Sequence, residues 1–412
     1  MKNIIQRARK SILYTYMEFG TKILRLPVVT NLADKPDEWG LKDQDLNLLL
    51  NKSDTITYDS IVFNEISNKI ILVTGAAGSV GSEIVRQILM YDPAKVILCD
   101  QAESQLHSLQ IEMENSYRGG KIAFYICNIQ NEKRMRQIYK NNMPDIVFHA
   151  AAYKHVPMME HNPTEAVLAN VLGTKVVADL SAEYNVSKFI MLSTDKAIYP
   201  TNVMGASKRI AELYIQLMHR QRCYTKFIIT RFGNVLGSSG SAVSLFKYQI
   251  NCGGPVTVTH PAITRYFMTI SEAVELVIKA GATGNGGEIF LSDMGEPVKI
   301  LDLAHKMIEL AGLKQGKDIE VVFTGLRPGE KLYEELVHDQ EVNIPTQNPK
   351  IKISTASNCC PEDTERLISE LLDSVYSSNL EIVKKMKAIV PEYISQNSVY
   401  ESLDSITEKV AV

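Results

Sequence analysis

The sequence has no run of about 18 or more apolar residues, so nothing in it predicts a helix that crosses a bilayer. It holds 6 cysteines in 412 residues. They are scattered apart from the neighbours Cys359 and Cys360, and none has histidines at metal-ligand spacing. Neither a disulfide framework nor a metal site is expected. A formal net charge of −3 leaves no basic excess and argues against a nucleic-acid partner. Internal repeats and low-complexity tracts are lacking. The basic start is not followed by an apolar stretch with a cleavage site, so no secretory signal is expected and the chain reads as cytoplasmic. Residues 4–26 can be drawn as a helix with Ile5, Ile12, Tyr16, Phe19, Ile23 and Leu26 loosely on one side. Such a helix would pack on the body, on a partner subunit or, with its basic residues, on the inner face of a membrane. The single tryptophan, Trp39, reads as a packing anchor.

What is present is a soluble composition, 45% hydrophobic and 22% charged, with ample material for two lobes. The organising stretch is Lys69–Gly81. A short β-branched run ends in Thr74 and is followed by Gly75, Gly78 and Gly81, then by a helical pattern. Strand, glycine turn and helix are the context of a dinucleotide fingerprint. Gly75 allows the turn. Gly78 clears the place of a diphosphate, and Gly81 lets the helix approach the strand. The helix's first turn, Ser79 and Val80 included, offers N–H groups to the phosphates. A second strand, Ala94–Asp100, ends in an acid that can accept ribose hydroxyls and disfavours a 2′-phosphate. NAD is therefore expected rather than NADP.

Strands and helices then alternate. Lys121–Cys127 is a third strand, with Asn128 and Ile129 placed near an adenine. Asp145–His149 is a fourth, and Ala150, Ala152, Lys154 and His155 follow it where such sheets bind ligands. The small alanines permit close approach of a cofactor, and Lys154 and His155 suit a charged substrate. Asn170, on the next helix, could orient the site. A strand from Lys188 leads into Thr194, Asp195 and Lys196. Met204 and Lys208 lie four apart on the following helix and so face the same way. The fold class is α/β: a Rossmann-type doubly wound parallel sheet with a smaller mixed α/β lobe. The expected division is an N-terminal helical extension (1–68), a dinucleotide domain (69–230), a mainly substrate-binding lobe (231–355) and a C-terminal helical extension (356–412). In the lobe, Asn234, Val256, Thr257 and an exposed-loop Arg265 suit uridine and phosphate. Arg327 could neutralise a diphosphate and Glu330 could accept ribose hydroxyls.

The motifs at Thr74–Gly81, His149–Glu160, Ser193–Arg209, Arg231–Gly240, Gly253–Thr269 and Gly325–Leu336 resemble one family together. It is the nucleotide-sugar 4,6-dehydratases of the polysaccharide-biosynthesis branch of extended short-chain dehydrogenase/reductases. The branch contains large membrane-anchored enzymes acting on UDP-N-acetylglucosamine in bacterial capsule, O-antigen and glycan synthesis. The resemblance runs from about residue 41 to 355 and lacks those enzymes' membrane-spanning front half. It implies recycled NAD, a homo-oligomer, and a UDP-sugar oxidised at C4, dehydrated across C5 and C6, and reduced at C6. Asp195, through Thr194 or a water, would take the C4 proton and later serve as acid for the C6 hydroxyl. Lys196, partly neutral, would be the C5 base, and Lys208 would hold the nicotinamide ribose. Ordinary relatives carry a tyrosine where Met204 stands, whereas this branch carries methionine. The stretch Asn202–Arg209 looks more like the enzymes that retain C5 configuration. An inverting dehydratase or a related UDP-sugar epimerase is the alternative. The chain departs from the family at Asn128 and Asn131, where acids are common, and at Tyr199, where Asn is common.

Overall fold

The structure is a computed structural model, and it describes residues 14–19, 22–27, 58–117, 121–221, 224–335, 341–346, 348–356 and 363–404. The chain divides into two units, residues 1–41 and 42–412, each described by itself. In the first, Tyr14–Phe19 and Lys22–Pro27 pair antiparallel, with Phe19 opposite Lys22. The helix expected over residues 4–26 is thus corrected across 14–27. The run of tyrosines, threonine and phenylalanine fits a pleated strand better than a helix. Trp39 lies outside the described residues.

In the second unit, helix α1 (Ser60–Ile66) leads into strand β1 (Ile70–Thr74), the glycine turn and helix α2 (Ser79–Leu89). Then come β2 (Lys95–Asp100), α3 (Glu103–Ser116), β3 (Ile122–Ile126), α4 (Glu132–Asn142) and β4 (Ile146–His149). Helix α5 (Val156–His161) precedes a turn at Pro163–Ala166, a π-helical segment at Val167–Leu172 and α6 (Gly173–Glu183). Strand β5 (Lys188–Thr194), α7 (Val203–Arg220) and β6 (Lys226–Phe232) complete the wound half. Further on are α8 (Ala242–Asn251), α9 (Ile270–Thr283), β7 (Ile289–Ser292) and α10 (Ile300–Leu310). Strands β8 (Glu341–Pro345) and β9 (Ile351–Ala356), helices α11 (Thr364–Asp373) and α12 (Asn379–Ile389) and a 3-10 turn at Val399–Leu403 follow.

Among the described residues nine strands form one sheet in the order β8-β9-β7-β6-β5-β4-β1-β2-β3. The pairs from β7 to β3 are parallel, and β9 and β8 add antiparallel at one edge. The strands alternate their apolar residues between two cores, as a pleated strand covered on both faces must. Leu72, Val147, Phe189, Met191 and Phe227 face α4, α6, α7 and the C-terminal helices. Val73, Phe148, Ile190, Leu192 and Ile228 face α1, α2, α3 and α9. The doubly wound sheet is therefore as expected. The second half contributes β7, β8 and β9 to the same sheet rather than building a separate one. The smaller lobe uses two-stranded pairings, such as Val256–Val258 with Val321–Phe323.

The C-terminal chain packs into the core through Ile368, Leu371, Ile382, Val383 and Met386. Its last described stretch then reaches the loops beyond β5. Ile394 N–H donates to the Pro200 carbonyl (3.2 Å) and Gln396 N–H to that of Thr201 (3.2 Å), while the Gln396 carbonyl accepts from Gly329 N–H (2.7 Å). Among the described residues no helix is long and apolar enough to cross a membrane.

Candidate active site

The glycine turn joins β1 to α2 at the carboxyl end of the sheet, where the parallel strands open a crevice. Gly75 has φ +67°, and a Cβ on it would lie 2.6 Å from Ala151 backbone atoms. A Cβ on Gly81 would lie 2.0 Å from the Gly75 carbonyl oxygen. These two glycines are required by packing alone. Gly78 differs: it is exposed, and an added Cβ would meet only the Gly75 oxygen at 3.3 Å. The cradle above it is open, which fits a diphosphate. Asp100, ending β2, braces the turn by accepting from Ala77 N–H (2.9 Å) and from Ala102 N–H (2.9 Å). Each oxygen keeps acceptor capacity for a ribose hydroxyl. The chain's own residues thus fit a dinucleotide.

Other sequence-selected residues fall around this crevice. Ser79 Oγ accepts from Ser239 N–H (3.1 Å), which joins the glycine turn to the loop after β6. Val80 is half-buried and packs against the core. Ala150 is partly buried and Ala152 is exposed. Asn128 is exposed and accepts from Gln130 N–H (2.9 Å). Ile129 is a core residue, so its side chain does not face a ligand. Asn170 does orient the loop after β4: its Oδ1 accepts from Tyr153 N–H (2.8 Å), and its Nδ2 donates to the Tyr153 carbonyl (3.0 Å) and to Ser207 Oγ (2.9 Å). His149, at the end of β4, is wholly buried between the hydroxyls of Thr74 (2.8 Å) and Thr174 (2.9 Å). Burial, and then Lys208, push its pKa down to about 3, so it is neutral.

Beyond β5 the chain makes a tight turn, Asp195–Ala197, and Asn202 caps α7 by accepting from Gly205 N–H (2.7 Å). The cap fixes the start of the helix that carries Met204 and Lys208, both buried. Lys208 Nζ donates to the Leu192 carbonyl (2.7 Å). Burial lowers its pKa to about 8 against the opposing pull of Glu212.

Asp195 and Lys196 form the centre. Lys196 Nζ lies 3.1 Å from Asp195 Oδ1, 2.7 Å from Glu334 Oε1 and 3.1 Å from Asn234 Oδ1. Thr194 Oγ1 donates to Asp195 Oδ1 (2.8 Å). The other carboxylate oxygen of Asp195 is buried with no hydrogen-bond partner among the described residues. Burial, and then the negative charge of Glu334, push the Asp195 pKa up to about 7. Burial alone would lower Lys196, but Asp195 and Glu334 outweigh it and its pKa is raised. The expected partly neutral lysine is therefore corrected: in this state it is an ammonium, because it sits between two carboxyl groups.

Three expectations for the lobe also change. Arg265 is not on an exposed loop: its side chain is 11% exposed, pairs with Glu334 (3.1 Å) and lies 3.6 Å from Glu330. Glu330 is buried and already engaged by Arg327 (3.1 Å) and by Thr259 Oγ1 (3.3 Å). Val256 is fully buried, so any ligand contact there runs through its backbone, while Thr257 is held by Gln249. By contrast Arg327 remains mostly exposed. Lys154 and His155 also keep exposed surface, while partial desolvation of the charged end and then neighbouring cations lower both: Lys196 for Lys154, and Lys154 then Arg327 for His155. The positive charge of Lys154 and Arg327, which also disfavours a charged His155, marks a place for an anion. Glu334 was not selected from sequence. The signal available was its spacing, four residues after Glu330 in the same acidic run.

The site lies in a fold of the extended short-chain dehydrogenase/reductase class. A solved structure of DesIV, a dTDP-glucose 4,6-dehydratase from Streptomyces venezuelae with NAD bound, superimposes with a TM-score of 0.58 at 22% identity, over 65% of this chain and 88% of that one. Pen from Bacillus thuringiensis superimposes with a TM-score of 0.65 at 33% identity, over 75% and 98%. The profile of the polysaccharide biosynthesis protein family matches residues 71–356, and the chain belongs to that family. It is 45% identical to the capsular polysaccharide biosynthesis protein CapD of Staphylococcus aureus, over 88% of this chain and 60% of that one. It thus spans about three fifths of that relative's length. A UDP-glucose 4-epimerase of Rickettsia bellii is 36% identical over 67% of this chain and 79% of its own.

Proposed function

We propose that the chain is an NAD-dependent 4,6-dehydratase of UDP-N-acetylglucosamine in bacterial surface polysaccharide synthesis, with retention at C5. The observation that carries this reading is the pairing of buried Asp195 with partly exposed Lys196 at the carboxyl end of β5, beside a helix that presents Met204 where a proton-relaying tyrosine would stand. Elimination of water needs a base at C5 and an acid at the C6 hydroxyl. C4 epimerisation needs neither at C5 or C6. NAD, when bound, supplies the acceptor and later the donor of the hydride. Gly75, Gly78 and the first turn of α2 would hold its diphosphate, Asp100 and Lys208 its riboses, and Asn128 its adenine. Lys154, His155 and Arg327 would meet the diphosphate of the UDP-sugar.

Asp195 takes the C4 hydroxyl proton through Thr194, whose hydroxyl already bonds it, and returns a proton to the departing C6 hydroxyl. A pKa near 7 suits both transfers, since each form is populated at neutral pH. As an ammonium, Lys196 would stabilise the oxygen that gains negative charge when C5 is deprotonated. Its part as C5 base requires loss of its ammonium proton on loading, and Arg265 and Lys154 repel in that direction.

A second reading, a UDP-sugar 4-epimerase, is favoured by the Rickettsia relatives' name. Proton NMR of the protein with NAD and UDP-N-acetylglucosamine in deuterated water separates them. A 4-keto-6-deoxy sugar carrying deuterium at C5 supports the dehydratase, and its coupling pattern reads the C5 configuration. A C4 epimer with C5 hydrogen intact supports the epimerase. No change with any UDP-sugar sinks both.

A further inference from the structure

Glu334 comes from the loop opposite the Asp195 turn, and its side chain is 2% exposed. Its Oε1 lies 2.7 Å from Lys196 Nζ and 3.1 Å from Arg265 Nε, and its Oε2 accepts from Asn234 Nδ2 at 3.0 Å. Asp195, equally buried, receives hydrogen bonds from Lys196 and Thr194 on one oxygen and from no donor on the other, with the Glu334 carboxyl as its close neighbour. Two carboxyls thus flank one lysine, but they are unequally supplied with donors. Burial would raise Glu334; Lys196 and then Arg265 overcome it and hold the pKa at about 2. Environments that push two neighbouring carboxyls apart assign the proton to one of them.

We infer that Glu334 is a positioning residue: by claiming Lys196, Arg265 and Asn234 it leaves Asp195 as the carboxyl that carries the exchangeable proton. The inference rests on the proposed acid–base role of Asp195. The charged groups facing the pair are Lys196 on the same turn, Arg265 from the short strand at Thr264–Arg265, Glu330 behind Arg265, and Lys154 from the segment after β4. Gly233 lies against the bare oxygen: a Cβ there would stand 3.1 Å from Asp195 Oδ2 and 2.9 Å from Met294 Cε.

The test uses the full chain, Glu334→Gln and Arg265→Gln. Asp195 is titrated by carbon NMR of labelled aspartate, assigned with Asp195→Asn, and kcat/KM for UDP-N-acetylglucosamine is followed against pH with NAD present. In Glu334→Gln, Asp195 becomes the sole carboxylate beside Lys196. Its midpoint should fall by about one pH unit or more, and the rising limb of kcat/KM should move down with it. Arg265→Gln strips a cation and should move both the other way. Opposite signs are not what a merely loosened fold gives, and Arg265→Gln keeps the test alive if Glu334→Gln does not fold. An Asp195 midpoint that stays put in the folded variants overturns the inference. A midpoint that shifts while the limb does not supports the role of Glu334 and overturns the acid–base reading of Asp195.

Discussion

Lys208 Nζ donates to the carbonyl of Leu192 at 2.7 Å, so the ammonium is anchored to the strand whose end carries Asp195 and Lys196. This charge is wholly buried, and its pKa of about 8 means that folding disfavours the ammonium. Between pH 8 and the unfolded lysine value the unfolded chain binds more protons, so stability rises with pH in that window. Below pH 8 the penalty is fully present, on the order of 3 kcal/mol. Lys208→Met should therefore raise the denaturant midpoint at pH 7 while abolishing turnover. Unfolding curves at pH 7 and 10.5 check it: the gain should shrink at the higher pH.

Glu212 carries the opposite sign. It is fully buried, accepts from Arg231 Nε (2.8 Å) and Nη2 (2.7 Å) and from Ser193 Oγ (2.6 Å), and pairs with Arg209 (3.2 Å). Burial would raise it, but Arg231 and then Arg209 hold its pKa at about 2. Its contribution is present above the unfolded carboxylate value and is lost as pH falls through 2. Glu212→Ala takes the shared buried carboxylate from Arg231 and Arg209, with Arg209 keeping Glu392 (3.1 Å), and should cost about 3–5 kcal/mol, measured by urea unfolding at pH 7. A loss under about 1 kcal/mol would contradict the network's importance.

Gly78 and Gly81 separate a binding requirement from a folding one. Gly81→Ala drives a Cβ to 2.0 Å from the Gly75 oxygen and should destabilise the chain severely. Gly78→Ala meets that oxygen at 3.3 Å and little else, so the fold should persist. Its methyl would occupy the diphosphate's place, and NAD affinity should drop at least about tenfold by calorimetry. Unchanged affinity would move the cofactor elsewhere.

Tyr199, between the Asp195 turn and Pro200, has φ +42°, a region that bulky residues enter at a cost. Asn tolerates that backbone better than an aromatic residue does. Tyr199→Asn should stabilise by about 1 kcal/mol in thermal unfolding, offset by whatever packing the half-buried ring provides. A clear loss would show that the ring's contacts outweigh the strain.

The parts legible in the sequence are local. β1, the glycine turn and Asp100 lie close along the chain, and Asp195–Lys196 are adjacent. The parts that are not legible are made by contacts across the fold. Arg265 reads as exposed in the sequence because the carboxylates that bury it, Glu330 and Glu334, arrive from a distant loop. Lys196 reads as a partly neutral base for the same reason, since Glu334 is remote along the chain. The segment 14–27 misled because apolar residues three or four apart suit a helix, while its aromatic and β-branched content suits a strand.

The match to the family profile ends at residue 356, yet Gln396 grips both Thr201 and Gly329. The loop after the Asp195 turn and the loop that carries Arg327 are thus tied together by a segment outside the matched region. Replacing that segment alone would alter the support of both loops without touching either residue.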